Sequence, residues 1–214
     1  DYVAAFHFNE KPGEATRDKT ANGNNASNAP AGINSASIIG PGARFAPGGA
    51  ITIPDAPSLA IEAGKPFSFS AWVKADALAP AQALLRRGAV TIGLAGGYPY
   101  VDGAGARVQA TTPVTQGQWA HVAVTADGTD IKIFVNGIEA GAAKAALPAL
   151  TGALSIGGAE DAVLVDGSVL ANAPFRPAIA ALKQRPARRE IDRLETSRLT
   201  ASARGDDRMT RLIL

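Results

Sequence analysis

An all-β fold of two packed antiparallel sheets is what this 214-residue sequence predicts, and three observations carry the prediction. Residues 117–137 (GQWAHVAVTADGTDIKIFVNG) alternate apolar with polar around Asp127-Gly128, with Val122 and Val124 before the pair and Ile131, Ile133 and Val135 after it. Asp-Gly, and Asn136-Gly137 at the end of the run, supply the positive φ angles that tight hairpins require, so the segment reads as an antiparallel meander with two pinned registers. Further short alternating runs recur between Gly and Pro punctuation, and no helical periodicity precedes residue 170, which is the pattern of a two-sheet sandwich.

Taken in order, residues 2–8 (YVAAFHF) alternate and open the fold as a strand. Residues 10–30 are polar, include DKTANGNNASN and form a long loop. Residues 36–45 and 49–53 are short strands separated by Pro-Gly. Residues 66–74 (PFSFSAWVK) place Phe67, Phe69, Ala71 and Val73 on one face. Residues 83–94 hold two strands around Arg86-Arg87-Gly88. Residues 98–102 and 107–111 follow across Gly-rich turns, then the meander, then a strand over 153–158 (ALSIGG).

Composition narrows the functional classes. Hydrophobic residues make up 46% of the chain and charged residues 19%, enough for a sizeable core and far from a disordered composition. The absence of cysteine excludes thiol catalysis, Cys-type zinc sites and disulfides. No uninterrupted apolar run reaches membrane-spanning length, and no signal peptide is visible. The chain starts at Asp1 inside a strand-like run, and is expected to be a piece of a larger polypeptide whose flanking regions carry any membrane link. Residues 183–214 hold nine Lys/Arg and five Asp/Glu, a net of +4 that leaves the body slightly acidic against the total of +2. That basic stretch lacks interleaved aromatics, and Gly-rich stretches such as GPGARFAPGG carry no phosphate-loop lysine, so neither a nucleic-acid partner nor a nucleotide cofactor is expected.

The motifs also resemble a family. The pattern G-x-W-x-H-V-A-x-T-x-D-G followed by a strand ending V-N-G (residues 117–137), with F-S-x-S-A-W-V (67–73), looks like the central strands of laminin-G-like, concanavalin-A-like jelly-roll domains. Asp18-Lys19-Thr20-Ala21-Asn22-Gly23-Asn24-Asn25 resembles the segment after the opening strand. Gly40 to Phe45 resembles the G-x-A-x-x-F step, with Gly42 in place of Ala. Arg189 to Arg198, containing Ile191-Asp192-Arg193-Leu194, resembles the last family strand with Arg in place of its leading Gly. The resemblance implies one jelly-roll domain over residues 1–200, with an inserted segment at about 176–188 whose residues 177–184 suit a short amphipathic helix stopped by Pro186, and a basic tail over 201–214. It also implies a noncatalytic, extracytoplasmic module, periplasmic or extracellular in a bacterium, that takes a glycan or a protein ligand. The alternative is a structural spacer in an envelope protein such as a MotA/TolQ/ExbB-type proton channel.

Several residues then compete for function. Glu190-x-Asp192-x-x-Glu195 fits the E-x-D-x-x-E signature of a related jelly-roll glycoside hydrolase group, in which two Glu must stand about 5–5.5 Å apart. Here the motif sits among six arginines between residues 185 and 204, away from both tryptophans, which favours a solvated strand and no catalytic residue. Asp18 and Asn22, with Asn24 and Asn25, are oxygen ligands that suit calcium, and the resemblance implies Asp192 as a further ligand; plain turn-building is the competing reading. His7 and His121 lack partner motifs and read as packed strand residues, and Trp72 and Trp119 as core or near-core packing. Tyr98 and Tyr100, two apart on one strand after Gly96-Gly97, either form a small stacking platform for a ligand or pair across strands inside the sandwich.

Overall fold

The computed structural model describes residues 2–30, 32–38, 40–46, 48–158 and 163–171. The strands are β1 (Tyr2–Phe6), β2 (Gly32–Ala36), β3 (Pro41–Phe45), β4 (Ala50–Ile53), β5 (Phe67–Ala75), β6 (Gln82–Arg87), β7 (Val90–Ala95), β8 (Tyr98–Asp102), β9 (Val108–Gln109), β10 (Ala120–Ala126), β11 (Asp130–Val135), β12 (Ile138–Lys144), β13 (Leu154–Gly157) and β14 (Val163–Ala171), with one 3-10 turn at Pro57–Leu59. They build two antiparallel sheets. The eight-stranded sheet runs β12-β11-β10-β5-β14-β3-β2, with β1 also on β14; the six-stranded sheet runs β4-β13-β6-β7-β8-β9. The all-β jelly-roll sandwich expected from the sequence is therefore the fold. No helix among the described residues is long and apolar enough to cross a membrane.

Alternation explains which faces meet. Phe67, Phe69, Ala71 and Val73 of β5 face the core, as do Val122 and Val124 of β10 and Ile131, Ile133 and Val135 of β11. The other sheet answers with Ile51, Ile53, Leu85, Val90, Ile92, Leu94, Val101, Leu154 and Ile156. The meander registers are as expected: Val122 pairs with Val135 and Val124 with Ile133. Asn136 (φ 51°) and Gly137 (φ 84°) both occupy the left-handed region, as a type I′ turn requires. The first turn differs in detail. Its loop pair is Gly128-Thr129, and Asp127 caps it by accepting hydrogen bonds from Thr129 N, Thr129 Oγ1 and Asp130 N. Those donors hold the Asp127 carboxyl down at about 2.

The place beside β1 is taken by β14, which pairs with β1 from Phe6↔Ser168 to Tyr2↔Ala171 and with β5 along its other edge. The strand expected over residues 189–198 lies outside the described residues, as do the inserted segment at 176–188 and the basic tail at 201–214. No strand is read from the sequence over residues 163–171 (VLVDGSVLA), where Asp166-Gly167 interrupts the alternation. In the fold the pair coincides with a register shift between Asp166 and Ser168, a bulge inside a continuous central strand.

Candidate functional site

The core takes every second residue of β7–β9 and β13, and of β6 after a bulge that turns Leu84 and Leu85 both inward, and the intervening residues form the outer face of the six-stranded sheet. One row crosses it by register: Thr52 opposite Ser155, Ser155 opposite Arg86, Arg86 opposite Thr91, and Thr91 opposite Asp102. The next row sets Tyr100 between Gly93 and Gln109, and the next sets Tyr98 opposite Ala95. Ala95 apart, these side chains are polar, aromatic or absent, and none belongs to the apolar interior.

Tyr100 anchors the face. It lies over Gly93, where an added Cβ would stand 2.9 Å from the Tyr100 Oη, so the ring lies flat on the sheet only because residue 93 has no side chain. The Arg107 guanidinium covers the ring at 4.1 Å from its centroid. Asp102 fixes that guanidinium through two hydrogen bonds, Nε to Oδ1 at 2.9 Å and Nη2 to Oδ2 at 2.6 Å. Burial pushes the Tyr100 phenol above its usual range, with the Arg107 charge opposing, Asp102 adding to the rise and Arg86 opposing again. The hydrogen bond to Asp102 raises Arg107 in turn.

Tyr98 and Tyr100 thus share a face, as their spacing requires, but they differ in access. Tyr98 is 37% exposed and Tyr100 is 4%. The open platform is composite: Tyr98, the outer plane of Arg107, and Leu78, which is itself exposed and lies against Gly97. Cross-strand pairing inside the sandwich does not occur for Tyr100, because β8 turns Val101 inward in its place.

Arg86 and Arg87 are neighbours with opposite fates. Arg87 faces inward, is 1% exposed and donates to the carbonyls of Leu59 and Gly152 and to Asp55. Arg86 faces outward, is exposed, and belongs to none of the ion pairs among the described residues. From the sequence Arg86 stands beside a turn and Asp102 and Arg107 at the ends of strands, and none of the three is assigned to a site. The signal that finds them is their position on the strand parity opposite to the apolar residues.

The Asp18 loop does other work. Asp18 Oδ1 accepts from Ala5 N and Thr20 N, both at 2.9 Å; Oδ2 accepts from Thr20 Oγ1 at 2.7 Å and Asn24 N at 2.9 Å. Burial pushes its carboxyl up, but the hydrogen bonds from Thr20, Ala5 and Asn24 together outweigh that and hold it below the ordinary range. Asn22 Nδ2 donates to the carbonyls of Tyr2 and Val3, and Asn24 Nδ2 to Val3. Further on, Ser27 N donates to Thr52 O, and Asn28 brackets β4 through Ala50 O and Thr52 N. The loop is a strap joining β1 to the β4 edge of the other sheet. Four donors already occupy the Asp18 oxygens and the Asn22 amide is spent as a donor, so the residues present do not fit a calcium ion. Among the described residues no group of three His, Cys, Asp or Glu gathers around a common point. Asp192, with Glu190 and Glu195, lies outside the described residues.

The other singled-out residues are placed as follows. His7 is exposed, and His121 is buried with its ring 5.4 Å from Trp72 in an edge contact. Trp72 sits on the outer face of the eight-stranded sheet and Trp119 just before β10. Both are half-buried, beside the apolar core and not part of it, since Trp72 alternates away from Ala71 and Val73.

Fold and face together define a jelly-roll β-sandwich with an open, polar and aromatic sheet surface. The chain belongs to the concanavalin A-like lectin/glucanases superfamily, whose laminin-G-type family model matches residues 45–171. No curated protein matches it. Among solved structures it is similar to domain 4 of AbnA, an extracellular GH43 arabinanase from Geobacillus stearothermophilus in complex with arabinotriose, at 17% identity and TM-score 0.67, covering 86% of this chain and 98% of that one. It is also similar to the binding domain of botulinum neurotoxin serotype G, at 10% identity and TM-score 0.66, covering 86% of this chain and 50% of that one. A third is a structure of botulinum neurotoxin type C, whose cell entry is described as dependent upon interaction with two ganglioside molecules. That match has 12% identity and TM-score 0.65, covering 85% of this chain and 50% of that one. The chain therefore spans about half the length of the toxin binding domains it matches.

Proposed function

We propose that the chain is a noncatalytic glycan-binding module that works outside the cytoplasm as part of a larger polypeptide, with the outer face of the six-stranded sheet as its binding surface. The observation that carries this reading is the Tyr98–Arg107–Tyr100–Asp102 group. Two stacking planes, Tyr98 on β8 and the Arg107 guanidinium just before β9, stand beside the guanidinium N–H groups that Asp102 leaves free, where an apolar sugar face and its hydroxyls find partners together. The match to almost the whole of an arabinanase accessory domain in complex with arabinotriose supports it.

The noncatalytic part rests on the carboxylates. Asp102 is the face's acid among the described residues, and both of its oxygens are engaged by Arg107. Glycoside hydrolysis needs two carboxyls, one of them free to move a proton.

The test is titration of the chain with soluble oligosaccharides, compared with Tyr98→Ala and Arg107→Ala. Each variant is expected to weaken binding by about tenfold or more, the effect of losing a stacking or charge-assisted contact. Tyr98→Ala should leave the melting temperature nearly unchanged, as surface substitutions do. Binding that survives both substitutions would move the site elsewhere. No binding to any oligosaccharide would favour a protein-contact or spacer role in an envelope assembly.

In this reading the module is calcium-independent. Melting temperatures in EDTA and in millimolar calcium should coincide. A ligand at about a hundredfold over its dissociation constant would add about 2.7 kcal/mol, readily seen, and such a rise would return the Asp18 loop to consideration as a metal site.

A further inference from the structure

We propose that the glycan is acidic, and that Arg86 reads a carboxylate on it; this rests on the glycan-binding reading above and names its ligand class. The inference comes from where charge is left over on the face.

Asp102 and Arg107 cancel each other through their paired hydrogen bonds, so the aromatic half of the site is neutral. Among the described residues Arg86 has no such acidic partner. Its neighbours in the row are Ser155 on one side and Thr91 on the other, hydroxyl residues that neutralise nothing, and Thr52 lies beyond Ser155. Nor, among the described residues, does its guanidinium tie segments of the fold together; its Nη1 lies beside Gly158. The 3-10 turn, the connection into β13 and Asp55 are held by Arg87 instead.

An exposed guanidinium on a rigid central strand, flanked by hydroxyls, presents a planar fork of donors that matches a carboxylate in two parallel hydrogen bonds. Its place relative to the platform fits a chain of sugars. Arg86 lies on β6 and Asp102 on β8, two strand spacings apart, about 9–10 Å between backbone positions. A sugar seated on Arg107 and Tyr98 therefore leaves the next unit of the same oligosaccharide over Thr91 and Arg86. A carboxylate there meets Arg86 and the hydroxyl of Thr91 or Ser155, where a neutral hydroxymethyl group would leave the cation unpaired.

The experiment is calorimetric titration of the chain with oligosaccharides of galacturonate, of alginate and of glucuronate-substituted xylan, each beside its methyl-esterified form. At least one acid form is expected to bind about tenfold tighter than its ester, and the preference should shrink as salt is raised. Arg86→Gln should bring the acid down to the ester's affinity while leaving ester binding and the melting temperature unchanged. Acid and ester binding alike, or a preference that survives Arg86→Gln, overturns the proposal and leaves the glycan-binding reading intact. A sulfated oligosaccharide that binds Arg86-dependently while no carboxylated one does overturns the carboxylate in favour of sulfate. Absence of binding by acids, esters and neutral oligosaccharides alike overturns the underlying reading, and this proposal with it.

Discussion

Replacing Arg87 by leucine is expected to destabilise the fold by about 3 kcal/mol, a loss of roughly 6–12 °C in melting temperature for a chain of this size. Arg87 ends β6 on its core face, opposite Val90 on one side and Leu154 on the other, with its side chain 1% exposed. Its guanidinium reaches the carbonyl of Leu59, the carbonyl of Gly152 at 3.0 Å and Asp55 at 2.8 Å. One side chain thereby ties β6 to the 3-10 turn and to the connection that enters β13. Leucine fills much of the volume but leaves buried acceptors unpaired, and that desolvation cost dominates. Asp55→Ala separates the causes. The Asp55 side chain is 56% exposed, so its half of the ion pair should contribute under about 1 kcal/mol. If Asp55→Ala proves as damaging as Arg87→Leu, the buried carbonyls are not what Arg87 is there to satisfy. Arg87→Lys should fall between, since an ammonium cannot reproduce the spread of a guanidinium fork.

Asp18→Asn is expected to cost about 2 kcal/mol, roughly 4–8 °C, despite its near-identical shape. The carboxylate accepts from three backbone N–H groups and one hydroxyl. An amide can offer only one oxygen to those donors, and its NH₂ group must face N–H groups that need an acceptor. The sign of the pH dependence follows from the direction of the shift. The folded carboxyl lies below its ordinary value of 3.8, so its contribution is present in full above that value and is lost as pH falls through the lower folded value. The difference in stability between the native chain and Asp18→Asn should therefore be constant near neutrality and shrink below pH 3.8. A difference that stays constant into that acidic range would mean the strap is held by the asparagines and not by the charge. Matched melts at neutral and acid pH decide it.

Much of the sandwich was legible because its strands are made by short-range patterns. FSFSAWV, VTIGL and AHVAVTA alternate strongly enough to set their own faces, and Asn136-Gly137 closes its hairpin with the φ values its residue types favour. β14 was not legible, since Asp166-Gly167 looks like a turn and becomes a bulge only when β5 and β1 hold the strand on either side. The strap was read as a polar loop with oxygen ligands. Its donors and acceptors could not be allocated until β1 and β4 stood beside it, and they then proved to be occupied.

The candidate site divides in the same way. Tyr98 and Tyr100 could be named from their spacing, and their shared face followed from strand parity. That one ring is open and the other capped depends on Gly93 from β7 and Arg107 beyond the next turn, which only the register brings together. Arg86 and Arg87 show the boundary most sharply. Alternation alone says that two adjacent arginines on a strand point in opposite directions, and a sequence holds that much. Which of them is buried is decided by the parity of β6 against β7 and β13, by the carbonyls of Leu59 and Gly152 arriving from distant segments, and by the cost of leaving buried polar groups unpaired.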